Sequence, residues 1–230
     1  MAERSVRRMK AAICLSSGGK DSTLSLHIAH SRGIMIKALL TVIPEDPESM
    51  LYHTHNVHLV ENIAVSTGLP WIPVQAKKNS EEESLQEALK NIDADYLVTG
   101  GIASNYQKEK FDRVCRNAGK EHYAPLWGIS AKELYSKILE NKMDVIIVSV
   151  AAYGLGEEWL GQHLDRQSVE KLLRLSARYR FNPVGEGGDL DTFVLDAPLY
   201  KKRIEIKKAT KKWYGDRGKL QIQGVEYVQK

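Results

Sequence analysis

The chain of 230 residues is long enough to bury a full core, in one large domain or two small ones. Its 43% hydrophobic and 27% charged residues, with a net charge of +4, are those of an ordinary globular protein, and no apolar run approaches the roughly 20 residues of a membrane span. The two cysteines have no C-x-x-C spacing and support neither a redox pair nor a cysteine-held metal cluster. These features predict a cytoplasmic protein with buried thiols and no membrane contact.

The first predicted element is a short buried strand over 11–15, followed by a turn of serines and glycines and by a helical pattern over 20–31. This order places backbone N–H groups and a lysine at a helix N-terminus, which is an anion-binding arrangement. Glycines let the backbone approach phosphates, hydroxyls add hydrogen bonds and Lys20 neutralises charge. The predicted phosphate loop consists of Ser16, Ser17, Gly18, Gly19, Lys20, Asp21 and Ser22.

This loop is not a Walker A motif, although its Gly19-Lys20 step looks like one. The motif G-x-x-x-x-G-K-S/T needs a glycine where Cys14 stands and a hydroxyl where Asp21 stands. The run S-G-G-K-D-S at 17–22 instead resembles the pyrophosphate loop of the ATP pyrophosphatase superfamily, whose members cleave ATP between the α and β phosphates. The alternative is a glycine-rich turn that binds nothing.

Strands and helices alternate along the first part of the chain. Strands are predicted near 11–15, 35–42, 71–75, 95–99 and 122–126, and helices near 20–31, 54–67, 80–90, 103–118 and 130–140. Ser80-x-x-Glu83 and Ser130-x-x-Glu133 have the capping-box pattern of a helix start. The alternation predicts a five-stranded parallel sheet with helices on both faces. Ligands of such sheets bind at the carboxyl ends of strands, so we expect Leu39, Thr41 and Gly100 to flank the adenosine of a bound nucleotide.

Two further segments of this part carry polar side chains. His53, His55 and His58 could be zinc ligands, nucleotide or substrate contacts, or surface and capping residues. Tyr106 and Gln107 open the helix after the Gly100-Gly101 turn, from which side chains can reach across a crevice at the strand ends. We expect both to contact substrate, and packing is the alternative role of Tyr106.

After about residue 127 the pattern changes. It predicts a strand over 143–151, an amphipathic helix over 169–179 and an antiparallel pair over 203–212 and 219–228. The chain is therefore expected to divide into a nucleotide-binding domain over 1–128 and a smaller α+β substrate-binding domain over 129–230. We name residues 200–219 the basic strip, because they hold nine Lys and Arg against two carboxylates, a local charge of +7. The strip is either a lysine-protected edge strand or a contact for an acidic or nucleic-acid partner.

The segment 185–192, which we name the acidic loop, combines three glycines with three carboxylates. It is predicted to be a flexible loop that brings Glu186 and Asp189 to a positively charged or ammonium-like group. Gly187 and Gly188 permit close backbone approach, and Thr192 can donate a hydrogen bond. A plain acidic loop is the alternative.

Four segments together resemble the diphthine–ammonia ligase family of ATP pyrophosphatases, which completes diphthamide on translation elongation factor 2. They are S-G-G-K-D-S at 17–22, Asn105-Tyr106-Gln107, G-L-G-E-E-W-L-G at 154–161 and E-G-G-D-L-D-T-F at 186–193. The resemblance covers nearly the whole chain. It implies a HUP-like PP-loop ATPase sheet followed by the smaller domain.

The resemblance also implies the chemistry. The diphthine carboxylate attacks the α phosphate of ATP to give an acyl-adenylate and pyrophosphate, and ammonium then supplies the nitrogen that displaces AMP. Lys20, Asp21 and Glu186 are the expected catalytic residues, and Asp21 either orients the loop or contacts Mg²⁺. The expected partners are elongation factor 2 carrying diphthine and ammonium, with nucleic acid involved at most indirectly. An oligomer is compatible with the sequence.

The sequence departs from the family pattern at a few positions. Asp189 stands where a glutamate is usual, Leu190 where an aromatic residue is common and His55 where proline is expected. The chain has none of the extra C-terminal domains of longer relatives, which suggests free ammonium as the nitrogen source. The rival functions are a tRNA-modifying PP-loop enzyme that adenylates a base, and a nucleotide-sensing module without catalysis.

Overall fold

The computed structural model describes residues 8–45 and 59–230, and its first part alternates strands with helices as predicted. In chain order the elements are β1 (Ala11–Leu15), α1 (Lys20–Ser31), β2 (Met35–Pro44), α2 (Val60–Thr67), β3 (Trp71–Ala76), α3 (Glu81–Lys90), β4 (Tyr96–Val98), α4 (Asn105–Asn117), β5 (Glu121–Tyr123) and α5 (Ala131–Glu140). The five strands form one parallel sheet in the order β3-β2-β1-β4-β5. The predicted five-stranded parallel sheet is confirmed.

The apolar residues of β1 explain why this sheet is covered on both faces. Successive side chains of a strand point to opposite faces. Ala12 and Cys14 join a core that includes Leu24 of α1, whereas Ile13 joins a second core that includes Leu85 of α3. Both faces of β1, the central strand, are therefore covered by buried apolar side chains.

The strand order reverses between β1 and β4, which are neighbours in the sheet although β2 and β3 separate them in the chain. Such a reversal opens a crevice at the carboxyl ends of the two strands, because the segments that follow them leave in different directions. Residues 16–19 follow β1, and the Thr99–Gly100–Gly101 turn follows β4. The fold thus brings the phosphate loop and this turn to the same place.

The second part forms an antiparallel sheet. Its elements are β6 (Asp144–Val150), α6 (Arg166–Tyr179), β7 (Leu190–Asp196), β8 (Lys202–Trp213) and β9 (Gly218–Gln229), and the strand order is β7-β6-β9-β8. The predicted pair β8–β9 is antiparallel as expected. Residues of this sheet share the core that contains α1, so the two sheets lie on either side of common apolar side chains. The domain boundary at 128/129 stays a prediction.

The structure corrects two details of the sequence analysis. The acidic loop was expected to run through Thr192, but β7 begins at Leu190, because a buried apolar run follows the glycines and pairs with β6. Ser80 caps α3 without a side-chain hydrogen bond, since its hydroxyl donates to the carbonyl of Lys77 instead, so the first predicted capping box is wrong. The capping box at Ser130 is confirmed. His53, His55 and His58, with the first residues of the helix predicted over 54–67, lie outside the described residues.

No helix in the described ranges is both long and apolar enough to cross a membrane.

Candidate active site

A cleft opens where the carboxyl ends of β1, β2 and β4 meet the segment that leads into β7. It contains about 880 Å³ of space, including the part that opens to solvent. Five segments of the chain form its walls. They are the end of β1 with the phosphate loop (Leu15, Ser16, Ser17, Lys20, Asp21 and Ser22), β2 (Thr41 and Val42), the turn after β4 (Thr99, Gly100 and Gly101), α4 (Gln107 and Phe111), and the segment that leads into and begins β7 (Val184, Gly185, Glu186, Leu190, Asp191 and Thr192). Both sheets therefore contribute to one cavity.

The phosphate loop is held by its own hydroxyls. The hydroxyl of Ser22 donates to the carbonyl of Gly19 at 3.1 Å, and the N–H of Gly19 donates to the Ser17 hydroxyl at 3.4 Å. Gly18 has φ +81, and a Cβ there would lie 3.2 Å from the ring of Phe193. A larger residue would strain the backbone and press on that ring. The N-cap residue of α1 is Gly19, which has no side chain to bond the N–H groups of the first turn, and this arrangement suits an anion.

The Thr99–Gly100–Gly101 turn after β4 lies close against the start of α1. A Cβ at Gly100 would lie 2.7 Å from the backbone nitrogen of Ser22, a distance that real Cβ atoms do not show. Only glycine fits there.

The hydroxyl of Thr41 on β2 contacts the start of the phosphate loop. It donates to the carbonyl of Ser16 at 3.0 Å and accepts from the indole N–H of Trp71 at 3.0 Å.

Lys20 is a buried cation with defined partners. Its side chain is 2% exposed, and its Nζ donates to the carbonyl of Val184 at 2.6 Å and to Oδ2 of Asp21 at 3.0 Å. Burying an unpaired ammonium costs free energy, and these two hydrogen bonds offset that cost for Lys20. Lysine has three N–H donors, and one is left for a ligand. The carboxylate of Asp21 is 28% exposed at the cleft wall.

Strand β7 runs directly against the phosphate loop. The N–H of Lys20 donates to the Thr192 hydroxyl at 3.1 Å, and the N–H of Val194 donates to the carbonyl of Gly18 at 3.1 Å. The sequence analysis did not identify Val184 or Phe193 as part of this site. The apolar run directly after the acidic residues of 185–192 is the signal that could have found Phe193.

Glu186 connects the acidic loop to the turn before α4. Its Oε1 accepts from the N–H of Ile102 at 3.0 Å and from the N–H of Ala103 at 2.9 Å. A carboxylate at this position also complements the positive end of the helix dipole. Asp189 has a different role, because its Oδ2 accepts from the N–H of Asn182 at 2.8 Å and closes the base of the loop.

The cleft brings together most of the predicted site residues but not all of them. Gln107, Glu186 and Thr192 lie in its wall with the phosphate loop, and Asp191 lies there although it was not predicted. Among the described residues that line the cleft, seven predicted ones are missing: Gly18, Gly19, Leu39, Tyr106, Gly187, Gly188 and Asp189. Leu39 is fully buried within the sheet, and half-exposed Tyr106 has Lys110 Nζ 4.3 Å from its ring centre.

Both cysteines are buried, as predicted, and neither lines the cleft. Burial raises the pKa of the Cys14 thiol far above its usual range and raises the pKa of Cys115 to about 12. The thiolate is the nucleophilic form. The site therefore offers no activated thiol for sulfur transfer.

Comparison with known proteins identifies both halves of the chain. The family model described as the diphthamide synthase N-terminal domain matches residues 9–122, and the one described as the diphthamide synthase C-terminal domain matches residues 130–228. A Bos taurus protein named diphthine–ammonia ligase is 32% identical over 217 residues, which cover 84% of this chain and 81% of that protein. A Schizosaccharomyces pombe protein of the same name is 31% identical over 214 residues, covering 84% of this chain but only 35% of the relative. This chain thus spans about a third of the longer yeast relative.

Proposed function

The chain belongs to the diphthamide synthase family, and we propose that it is an AMP-forming ligase that amidates the diphthine carboxylate of translation elongation factor 2 with ATP and ammonium. The observation that carries the proposal is the meeting of the phosphate loop with the acidic loop in one cleft. Lys20 contacts Val184 and Thr192, and Glu186 contacts the turn after β4. A nucleotide and an acceptor bound from the two sides would therefore share one reaction centre.

The nucleotide half of the reaction uses the N-terminus of α1. The hydroxyls of the phosphate loop and the N–H groups of the first turn of α1 hold the β and γ phosphates, and the third Nζ–H donor of Lys20 stabilises pyrophosphate as it leaves. An oxygen of the diphthine carboxylate attacks the α phosphorus, the bond to the bridging oxygen breaks, and an acyl-adenylate and pyrophosphate result. Thr41 and Gly100 line the cleft at the ends of their strands, and in this mechanism they flank the adenosine.

The carboxylates of the cleft fit a magnesium ion. Mg²⁺ is usually held by one or two carboxylates together with substrate phosphates. Asp21 of the phosphate loop and Asp191 both line the cleft. When bound, the ion would neutralise charge on the phosphates. Asp21 also fixes Lys20, so it orients the loop in either case.

The acceptor half of the reaction uses the acidic loop. Glu186 carries negative charge that complements ammonium or the trimethylammonium group of diphthine, and Thr192 positions the start of α1. The ammonia nitrogen attacks the acyl carbon and the carbon–oxygen bond to AMP breaks, which gives the amide and AMP.

The test is the product analysis of a complete reaction. The protein is incubated with ATP, Mg²⁺, ammonium and diphthine-bearing elongation factor 2, and AMP, pyrophosphate and ADP are separated. We expect AMP and pyrophosphate in amounts that depend on the acceptor. Lys20→Ala should slow their formation by about 10²- to 10³-fold, the usual loss for one such stabilising donor. The control Lys137→Ala removes an exposed lysine of α5 and should retain the wild-type rate.

A parallel reaction with bulk tRNA in place of the protein acceptor tests the rival tRNA-modifying function, which the basic strip favours. AMP formation that depends on tRNA and not on elongation factor 2 would transfer the proposal to that class. ADP as the main product, or an unchanged rate in Lys20→Ala, would contradict the proposed mechanism.

A further inference from the structure

A chain of hydrogen bonds runs from the wall of the cleft into the sheet. The Thr99 hydroxyl lies 2.7 Å from Nε2 of His122, and Nδ1 of His122 lies 2.6 Å from Oδ1 of Asp112. The other carboxylate oxygen of Asp112 accepts from Lys108 Nζ at 2.6 Å. These residues come from the end of β4, from β5 and from α4. None of the four is among the predicted site residues.

The chemistry of the groups sets the direction of each hydrogen bond. Hydrogen bonds from Lys108 and His122 outweigh partial burial and hold the pKa of Asp112 below its usual value, so its carboxylate is ionised and can only accept. His122 therefore donates from Nδ1. Its side chain is 5% exposed, and burial lowers its pKa, so the ring is neutral at pH 7 and Nε2 is an acceptor. The Thr99 hydroxyl consequently donates to His122.

This direction leaves the Thr99 oxygen with its acceptor capacity available to the cleft. Thr99 lines the cleft beside Gly100 and Gly101. A Cβ at Gly101 would lie 3.9 Å from the Thr99 oxygen, so an atom can come into contact with that oxygen from the side of the absent side chain. Because Thr99 itself is almost fully buried, only a small polar species could approach it.

We propose that Thr99, His122 and Asp112 form a proton relay that converts ammonium bound in the cleft into the ammonia that attacks the acyl-adenylate. This inference rests on the proposed function. The Thr99 oxygen takes a proton from ammonium as its own proton passes to His122 Nε2, and the resulting imidazolium is stabilised by Asp112. The nitrogen lone pair then forms the bond to the acyl carbon, and AMP leaves with the electron pair of the carbon–oxygen bond. The surplus proton on nitrogen and the proton on His122 pass to solvent.

A second histidine provides a matched control. Nδ1 of His163 lies 2.6 Å from Oδ1 of Asp144, the same distance as in the His122–Asp112 pair. His163 is 52% exposed and does not line the cleft. Replacing each histidine with glutamine removes one imidazole ring beside a carboxylate, but only His122→Gln interrupts the relay.

The experiment compares two nitrogen nucleophiles. Ammonium must lose a proton before it can attack, whereas hydroxylamine is largely uncharged at neutral pH and traps the same acyl-adenylate as a hydroxamate. For wild type, His122→Gln and His163→Gln, the rates of amide and of hydroxamate formation on diphthine-bearing elongation factor 2 are measured under subsaturating nucleophile. We expect His122→Gln to lower the ratio of the ammonium rate to the hydroxylamine rate at least tenfold, since general base catalysis contributes about 10²- to 10⁴-fold. His163→Gln should keep the wild-type ratio.

The ratio separates a relay from a structural role, because a distorted cleft lowers both rates by the same factor. An unchanged ratio in His122→Gln overturns the relay, whether or not the absolute rates fall. If that variant does not fold, Thr99→Val and Thr99→Ser decide in its place: the relay requires that valine lowers the ratio and that serine, which keeps the hydroxyl, restores it. Hydroxamate formation by wild type without any amide from ammonium would overturn the relay but leave adenylation standing. Absence of any acceptor-dependent AMP would remove the proposed function and the relay with it.

Discussion

At the scale of single residues, the candidate site is defined by polar side chains that bond to backbone far away in the sequence. Lys20 Nζ donates to a carbonyl 164 residues away, and Oε1 of Glu186 accepts from an N–H 84 residues away. Each contact satisfies a group that would be costly to leave unpaired within the cleft. These contacts also fix the positions of the positive charge of Lys20 and the negative charge of Glu186 relative to a bound nucleotide.

Glu186 permits a test of charge separately from shape. Glu186→Gln removes the negative charge but keeps a side-chain oxygen that can accept from Ile102 and Ala103, so the acidic loop should stay in place. We expect ATP affinity to stay nearly constant and AMP release with elongation factor 2 to fall by about ten- to a hundredfold, the value of a hydrogen bond to a charged group. Nucleotide titration and AMP release measure the two effects.

Glu186→Ala is the control for the loop, because it loses the two backbone contacts as well and should weaken both properties. Should Glu186→Gln lose ATP binding while it still binds the acceptor, the acidic loop would belong to the nucleotide side, with Glu186 near the phosphates or their metal ion.

At the scale of elements, α1 connects the two sheets. His27 on this helix lies between them: its Nδ1 is 2.7 Å from the carbonyl of Thr23, and its Nε2 accepts from the N–H of Leu199 at 3.0 Å. Leu199 lies between β7 and β8. Since Nε2 must be unprotonated to accept this hydrogen bond, a neutral His27 joins the helix to the second sheet.

Acidification should weaken this connection. Burial, supported by the charges of His30 and Lys230, lowers the pKa of His27 in the folded chain. The unfolded chain therefore binds the proton more readily, and the contribution of His27 to stability is present above about pH 6.5 and lost as the pH falls from there towards the lowered pKa. We expect the denaturant midpoint of wild type to fall between pH 7 and 5.5, and to fall less in His27→Gln.

His30→Gln, which replaces an exposed histidine of the same helix, is the control and should alter the slope less than His27→Gln. Equal slopes in wild type and His27→Gln would show that His27 does not couple the fold to pH in this range.

At the scale of the whole molecule, charge is concentrated on one edge. Strand β8, at the end of the second sheet, carries most of the basic strip, and Lys207 pairs with Glu205 at 3.2 Å and with Glu226 at 3.0 Å. Exposed ion pairs of this kind stabilise a fold by little. The edge position agrees with a lysine-protected strand, and it equally offers a long positive surface to an acidic partner.

Neutralising the strip distinguishes the two roles. Replacing Lys207, Lys208, Lys211 and Lys212 together with glutamine should weaken binding of elongation factor 2, and the difference from wild type should grow at low salt because screening is then weaker. ATP affinity should barely change. The control replaces four exposed lysines elsewhere, Lys77, Lys90, Lys132 and Lys137. If both variants bind the acceptor as wild type does across the salt range, the strip serves to protect the edge and not to bind a partner.

The sequence by itself determined the local framework of this protein. The bounds of β1 and α1 are those predicted, because a buried strand, a glycine turn and a helix start depend on residues close together in the chain. The parallel sheet and the phosphate loop at its carboxyl edge follow from the same local signals. Four segments together, at 17–22, 105–107, 154–161 and 186–193, carried the family resemblance.

Only the tertiary structure decided which groups meet. Strand β7 was not predicted, because glycines directly precede it. It pairs with β6 over a long stretch of chain, as Ile146 opposite Phe193 shows. Lys20 donates to the backbone carbonyl of Val184, and hydrogen bonds lead from Thr99 through His122 to Asp112. Both sets of contacts join groups from different parts of the fold. Such contacts depend on how the sheets pack, and a period or a cap in the sequence carries no information about a partner on another element.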